Sequence, residues 1–327
     1  VSSINLSGLH RTHSEIAKKD ALKEFITGAS MQFQNDFLKV GFQGVYLRYD
    51  QPVQLNPRPY NQFYFSGSSC LSLSSDYNYV YRNLNVFGEV SYSMNENQSG
   101  LAMLHGALLA IDTRFSLGLL YRDYDESYQT MYNAGFSEGS RTQNENGLYA
   151  GFKFKLSKAW SMNAYTDVFE FPWMKYGVDA PSKGHEFLIQ PIYKPNKAFE
   201  LYARFREQLR QKNESPSTGV ITNVENVLQR NFRINISNKI NKVLTLKSRI
   251  EWVSIKRESR VKEKGLLITQ DIAYKPKSFP LSFNLRYALF DTDNYDTRIY
   301  SYENNALYVF SVPAYYFQGS RCYLLAR

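Results

Sequence analysis

From Asn146 to Phe290 the chain repeats one unit: a strand-like run, a short turn, a second run, and a long polar loop. Gly147–Leu156 and Ala159–Glu170 join at Ser157-Lys158, and Glu186–Lys194 and Lys197–Glu207 at Pro195-Asn196. Asn231–Ser237 and Val243–Ser254 join around Asn238–Lys242, and Leu266–Tyr274 and Phe279–Phe290 around Pro276-Lys277. The intervening segments Phe171–Gly184, Gln208–Val227, Lys256–Gly265 and Asp291–Asn305 are longer and polar. Short turns at one end of a set of hairpins and long loops at the other are the pattern of a membrane-spanning β-barrel.

The runs alternate. Phe199, Leu201, Ala203 and Phe205 oppose Glu200, Tyr202, Arg204 and Arg206, and Phe232, Ile234 and Ile236 oppose Asn231, Arg233 and Asn235. Leu148, Ala150, Phe152 and Phe154 oppose Tyr149, Gly151, Lys153 and Lys155. Leu244, Leu246, Ile250 and Trp252 oppose Lys247, Arg249 and Glu251, and Phe279–Leu289 sets an apolar face against Ser282, Asn284 and Arg286. Such period-2 patterns put one face in an apolar phase and the other in a polar one. Soluble sandwiches also alternate, but their strands average roughly five or six residues, whereas a tilted bilayer-crossing strand needs roughly 9–11. An Arg on the lipid face costs roughly 2–4 kcal/mol at mid-bilayer, so the basic residues are expected to face a lumen. No apolar run is long enough for a transmembrane helix, which is compatible with a barrel because strands hide their apolar residues in alternation. The aromatic share of 16%, mostly 26 Tyr and 22 Phe, suits the girdles of a membrane interface.

The rest of the chain extends the pattern. Ser2–Gly8 reads as the tail of a strand, and Thr12 with Glu15 forms a capping box that predicts a short helix over His13–Leu22. Hairpins follow at Leu22–Gln34 with Phe37–Tyr49, Cys70–Tyr81 with Leu84–Met94, and Leu101–Ile111 with Arg114–Tyr124. Asp50–Asn61 reads as an outer loop, and Asn305–Tyr316 and Ser320–Arg327 as two closing strands. The expectation is an all-β, antiparallel, transmembrane up-and-down β-barrel of about 16 visible strands with one short N-terminal helix. Residues 1–327 form a single barrel domain that reads as a fragment truncated at both ends. The two cysteines, Cys70 and Cys322, read as unpaired small residues in strands.

Several stretches resemble a known family: Gly8-Leu9-His10-Arg11-Thr12 with Glu15-Ile16, Phe171-Pro172-Trp173-Met174-Lys175-Tyr176, Val178-Asp179-Ala180-Pro181-Ser182-Lys183-Gly184, Ala203-Arg204-Phe205-Arg206, and Ser311-Val312-Pro313-Ala314-Tyr315-Tyr316. The chain resembles the outer-membrane β-barrel region of bacterial proteins, mainly from the Bacteroidetes, that often carry helix-hairpin-helix segments before the barrel. The resemblance implies a bacterial outer membrane. No helix-hairpin-helix segment is visible in this sequence, so nucleic-acid binding is carried onto none of its residues.

Motifs for catalysis are weak. His10 and His13 offer two metal ligands without a clear third. His185-Glu186 is at most half of an acid–base pair, and His105 reads as a packed or lumen histidine. Asp291, Asp293, Asn294 and Asp296 have calcium-ligand types without EF-hand spacing. There is no P-loop, dinucleotide fingerprint or nucleophile elbow. The reading is therefore a non-enzyme with no catalytic residue, metal or cofactor.

The strongest constellation is electrostatic. Lys153, Lys155, Arg204, Arg206, Arg233, Lys247, Arg249 and Arg286 share the expected lumen face of a chain with net charge +9. Asp167, Glu200 and Glu251 are interspersed. A net-positive lumen favours anionic solutes or polymers. The competing reading is that these charges pair across strands and fill the lumen, and the neighbouring acids favour it. The functional expectation is a channel or transport barrel in the lipid bilayer of an outer membrane. The alternatives are a membrane anchor or assembly barrel for a periplasmic partner, an outer-membrane enzyme, and a soluble all-β binding protein.

Overall fold

The computed structural model describes residues 9–215, 222–277 and 279–327. A short helix, α1 (His13–Ala17), precedes seventeen strands. They are β1 (Glu24–Gln34), β2 (Leu38–Val53), β3 (Gly67–Tyr81), β4 (Leu84–Asn95), β5 (Ser99–Asp112), β6 (Phe115–Tyr124), β7 (Glu145–Lys155), β8 (Trp160–Phe171), β9 (Ser182–Tyr193), β10 (Phe199–Asn213), β11 (Val224–Lys239), β12 (Leu244–Arg257), β13 (Glu263–Tyr274), β14 (Phe283–Thr292), β15 (Ile299–Tyr300), β16 (Ala314–Tyr315) and β17 (Gln318–Ala326). Fifteen of them form one antiparallel sheet in chain order, β1 through β14 and then β17. β15 and β16 form a separate two-stranded ribbon. β1 and β17 are the edges of the large sheet.

Side chains close the short turns. The Asn35 carboxamide oxygen accepts the backbone N–H groups of Phe37 and Leu38 at 2.9 and 2.8 Å. Asn196 does the same for Ala198 and Phe199 (2.8 and 2.9 Å), and Asn241 for Val243 and Leu244 (2.9 Å each). The Ser157 hydroxyl takes the N–H groups of Ala159 and Trp160. An Asn or Ser side chain standing in for a backbone acceptor stabilises a tight reversal without any long-range contact. These residues hold the register of the strands that follow, and register decides which face each side chain occupies.

The burial pattern is the reverse of a water-soluble sheet. On β12 the acid Glu251 is 3% exposed while its neighbour Ile250 is 48% exposed. Arg122, Glu145, Asp167, Glu186 and Arg286 are buried, whereas Phe25, Phe33, Phe42, Leu119, Phe232, Leu285 and Leu289 are exposed. The register joins exposed and half-exposed apolar side chains across strands, as in Phe205↔Phe232↔Trp252↔Leu266 and Ile234↔Ile250↔Ile268↔Leu289. A belt of this kind cannot face water as a stable surface of a monomer. It fits a hydrocarbon solvent, in which backbone groups are satisfied by the ladder between strands. The chain is an all-β, up-and-down sheet of the outer-membrane barrel type, with a lipid-facing and a lumen-facing side.

Three expectations are corrected. The capping box forms, with Glu15 N–H donating to the Thr12 hydroxyl and the Glu15 carboxylate accepting from the Thr12 N–H, but α1 ends at Ala17 rather than at Leu22. The strand expected from Phe279 begins at Phe283, because Pro276 and Pro280 lack an N–H for the ladder. Asn305–Tyr316 is not a wall strand. Its Leu307-Tyr308-Val309-Phe310 run has no alternation, Tyr308 has φ 68°, and Pro313 removes a donor. The expected strand tail at Ser2–Gly8 lies outside the described residues.

Ile250→Arg is expected to destabilise the protein in lipid vesicles by roughly 2–4 kcal/mol, the mid-bilayer cost of a lipid-facing Arg. Urea unfolding followed by tryptophan fluorescence measures this. An unchanged midpoint would mean that this face meets water.

Candidate functional site, a charged lumen

Following the register from strand to strand assigns every inward side chain. All eight basic residues singled out in the sequence share the inward face, on β7, β10, β11, β12 and β14. They do not form one cluster. Arg206 is clamped by Glu186, Nε to Oε1 at 2.7 Å and Nη2 to Oε2 at 2.6 Å. Arg286 is bidentate to Asp271. Arg233 is bidentate to Glu251, 2.9 Å on each arm, and Arg249 reaches the same carboxylate. Arg204 stands directly opposite Arg233. Among the described residues, no carboxylate lies within ion-pair distance of Arg204, Lys153, Lys155 or Lys247. Arg204, Arg233 and Arg249 thus gather around the single acid Glu251. Glu200 pairs with Lys194 at the short-turn end instead.

The most buried charge is one that alternation alone did not single out. Arg122 on β6 donates Nε to Glu145 at 2.6 Å and both terminal nitrogens to Asp167 at 2.9 and 3.1 Å. Its side chain and that of Glu145 are fully buried. Gly147, opposite Arg122 in the ladder, leaves the space that the guanidinium fills; a Cβ there would collide with it. Glu145 also accepts the backbone N–H groups of Glu138 and Gly139, each at 2.8 Å, and Arg210 on β10 pairs with Glu138. The triad therefore fastens the β6–β7 loop, residues 125–144, inside the sheet.

Two fillings occupy the lumen. Residues 293–317 form a hairpin that descends along β12–β17 from the long-loop end. Ile299 and Tyr315 pack on Val253, Leu267 and Ala288. Lower down, Arg249 donates to the Ser301 hydroxyl and the Tyr300 carbonyl, and Arg286 to the Tyr302 carbonyl. Glu303 accepts from Tyr315 and Arg321. Arg327 reaches the Asn305 carbonyl near the short-turn end, where Leu307, Tyr308 and Phe310 are exposed. The second filling is the β2–β3 loop, read from the sequence as an outer loop over Asp50–Asn61. At its base Val53 and Phe65 pack on Leu47, Tyr49 and Cys70. A signal for the first filling is present in the sequence: Val253, Ile255, Leu267, Ala288 and Phe290 are apolar at inward positions, so something apolar must cover them.

Other candidate groups take structural places. His105 faces outward, its ring beside Gly88 and its Nδ1 3.0 Å from the Tyr77 hydroxyl. His185 faces outward beside Glu207 while Glu186 turns inward, so the two form no acid–base pair. Asp293 accepts the Lys264 N–H, Asn294 caps its own turn, and Asp296 pairs with Arg257. His10 Nδ1 lies 3.3 Å from the Glu15 carbonyl. Among the described residues, no group of three or more His, Cys, Asp and Glu side chains is arranged to hold a metal.

No family model matches the chain, and no curated protein matches it in sequence. Solved structures that resemble it are membrane barrels. The trimeric, in-vitro-folded outer membrane protein OmpT of Vibrio cholerae is 11% identical, with a TM-score of 0.45 over 93% of this chain and 96% of that one. A BenF-like porin from Pseudomonas fluorescens is 10% identical, with a TM-score of 0.43 over 83% and 86%. An anion-selective porin from Comamonas acidovorans is 9% identical, with a TM-score of 0.43 over 92% and 98%. Overlaps this loose carry no residue-level correspondence.

Arg122→Met is expected to cost about 3–5 kcal/mol, because it leaves two carboxylates buried without their cation. Arg206→Met, at a half-exposed pair, is expected to cost less. Urea unfolding of both variants in vesicles measures the difference, and equal midpoints would contradict the role of the triad as an anchor.

Proposed function

We propose that the protein is a channel of the bacterial outer membrane whose lumen favours anionic solutes or polymers. The observation that carries this reading is the gathering of Arg204, Arg233 and Arg249 around one carboxylate, Glu251. Elsewhere on the wall charges largely cancel in pairs; here positive charge is in excess. Inside a low-dielectric wall that excess raises the local concentration of anions and repels cations. Lys153, Lys155 and Lys247 add unpaired positive charge toward the short-turn end. The 293–317 hairpin narrows the path beside β12–β17, so conduction runs past it or requires its displacement.

A second reading is favoured by one feature of that hairpin. It fills part of the lumen and carries the exposed residues Leu307, Tyr308 and Phe310 to the short-turn end, which in outer-membrane barrels is the periplasmic end. A barrel that serves as an anchor for a periplasmic partner would present such a tip.

Single-channel recording in a planar bilayer under a salt gradient separates the two. The channel reading expects a reversal potential on the anion side, moved toward cations by Arg204→Glu. It also expects larger steps when residues 303–313 are replaced by a short Gly-Ser linker. Cation selectivity, or silence from inserted protein even after the hairpin is shortened, would overturn the channel and favour the anchor.

A further inference from the structure

Three loops meet at the long-loop end of the sheet, and each brings aromatic rings. Tyr60, Phe63 and Tyr64 come from the β2–β3 loop, and Trp173 and Tyr176 from the β8–β9 loop. Tyr60 and Tyr176 meet edge to face at 5.6 Å, and Phe63 and Trp173 at 5.2 Å. Between them lies a cavity of about 220 Å³, closed on its third side by the β6–β7 loop.

Two of the walls, Trp173 and Phe63, are held in place before any ligand arrives. Trp173 Nε1 donates to the Pro59 carbonyl at 3.0 Å. Asn144 clamps the Trp173 backbone from both sides, accepting its N–H at 2.7 Å and donating to its carbonyl at 2.9 Å. The Phe63 carbonyl accepts three side-chain amides, from Gln98, Gln129 and Gln143. A site that is rigid in its free state loses little entropy on binding.

The polar groups in the cavity are not spent in the same way. The Lys175 ammonium lies on the face of the Phe171 ring at 3.1 Å, with no carboxylate within ion-pair distance among the described residues. Glu126, Tyr60 and Tyr64 line the space, and their side-chain oxygens have no hydrogen-bond partner among the described residues. Burial, followed by the field of Arg210, pushes the Lys175 ammonium down to about 8. Glu145 and Glu138 act on this half-buried ammonium only from beyond ion-pair distance, so a ligand that places a carboxylate directly against it is favoured.

We infer that this loop pocket binds a pyranose ring carrying a carboxylate, an acidic sugar. The C–H face of a pyranose is apolar and electropositive, which matches the negative faces of tyrosine and tryptophan rings. Its hydroxyls match Glu126 and the tyrosine hydroxyls, and its carboxylate matches Lys175. Apolar aromatic walls with a few convergent polar groups are the ordinary composition of a small-molecule site. The pocket lies in the loops and is separate from the Arg204 cluster, so the inference stands or falls apart from the channel reading.

The test is titration of the full-length protein in detergent with galacturonic acid and with galactose, by calorimetry and tryptophan fluorescence. Galacturonic acid is expected to bind saturably and more tightly than galactose. Its affinity is expected to fall as pH rises through about 8, because Lys175 loses its charge while the sugar keeps its own. Tyr176→Ala, at a residue 81% exposed and therefore tolerant of truncation, is expected to weaken both sugars roughly three- to tenfold, the loss of about one aromatic contact. Lys175→Met is expected to abolish the preference for the acid. No saturable binding, equal affinity for the two sugars, or binding unaffected by Tyr176→Ala would overturn the proposal.

Discussion

In hydrocarbon a backbone amide has no partner but another backbone amide, and the rest of this structure depends on that constraint. Each wall strand from β2 to β14 satisfies its N–H and C=O groups on two antiparallel neighbours, adjacent in sequence except where β14 pairs with β17 across the 293–317 hairpin. The arrangement needs only short turns at one end, which Asn35, Ser157, Asn196 and Asn241 supply locally. Once the ladder is set, the two faces separate by solvent. Ile234, Ile250 and Ile268 meet lipid, and Arg233 and Glu251 meet the lumen.

The inner face is where the structure departs from a simple water-filled tube. Buried ion pairs are costly to dehydrate and are retained only with good geometry. Bidentate arrangements such as Arg122–Asp167 and Arg233–Glu251 meet that condition. The pairs also connect the wall to what fills it. Glu145 turns from Arg122 to the β6–β7 loop backbone, and Arg249 and Arg286 turn from their acids to the 293–317 hairpin. Arg204 does neither: among the described residues it has no ion-pair partner on the wall or on the fillings.

The wall was largely legible in the sequence because its signal is local. Alternation in Phe199–Arg206 or Asn231–Ser237 has a period of two, and the phase is set by the energetic penalty of a lipid-facing Arg. The inward placement of Lys153, Lys155, Arg204, Arg206, Arg233, Lys247, Arg249 and Arg286 follows from the same rule. The fillings were harder to read. Tyr295–Phe317 resembles a loop and a strand until Val253, Leu267 and Ala288 are seen to need an apolar cover. Arg122 is one charge in a mostly apolar strand, and its importance depends on Glu145 and Asp167 arriving from two other strands.

The sequence by itself determined the class of fold, the order of the hairpins, and which side chains face lipid. These are properties of neighbouring residues and of the solvent each face must meet. Only the tertiary structure decided which charges cancel and which remain in excess. It also decided that the 293–317 hairpin enters the lumen, and that rings from separate loops meet around Lys175. Those outcomes depend on distances between residues far apart in the chain, which strand periodicity does not encode.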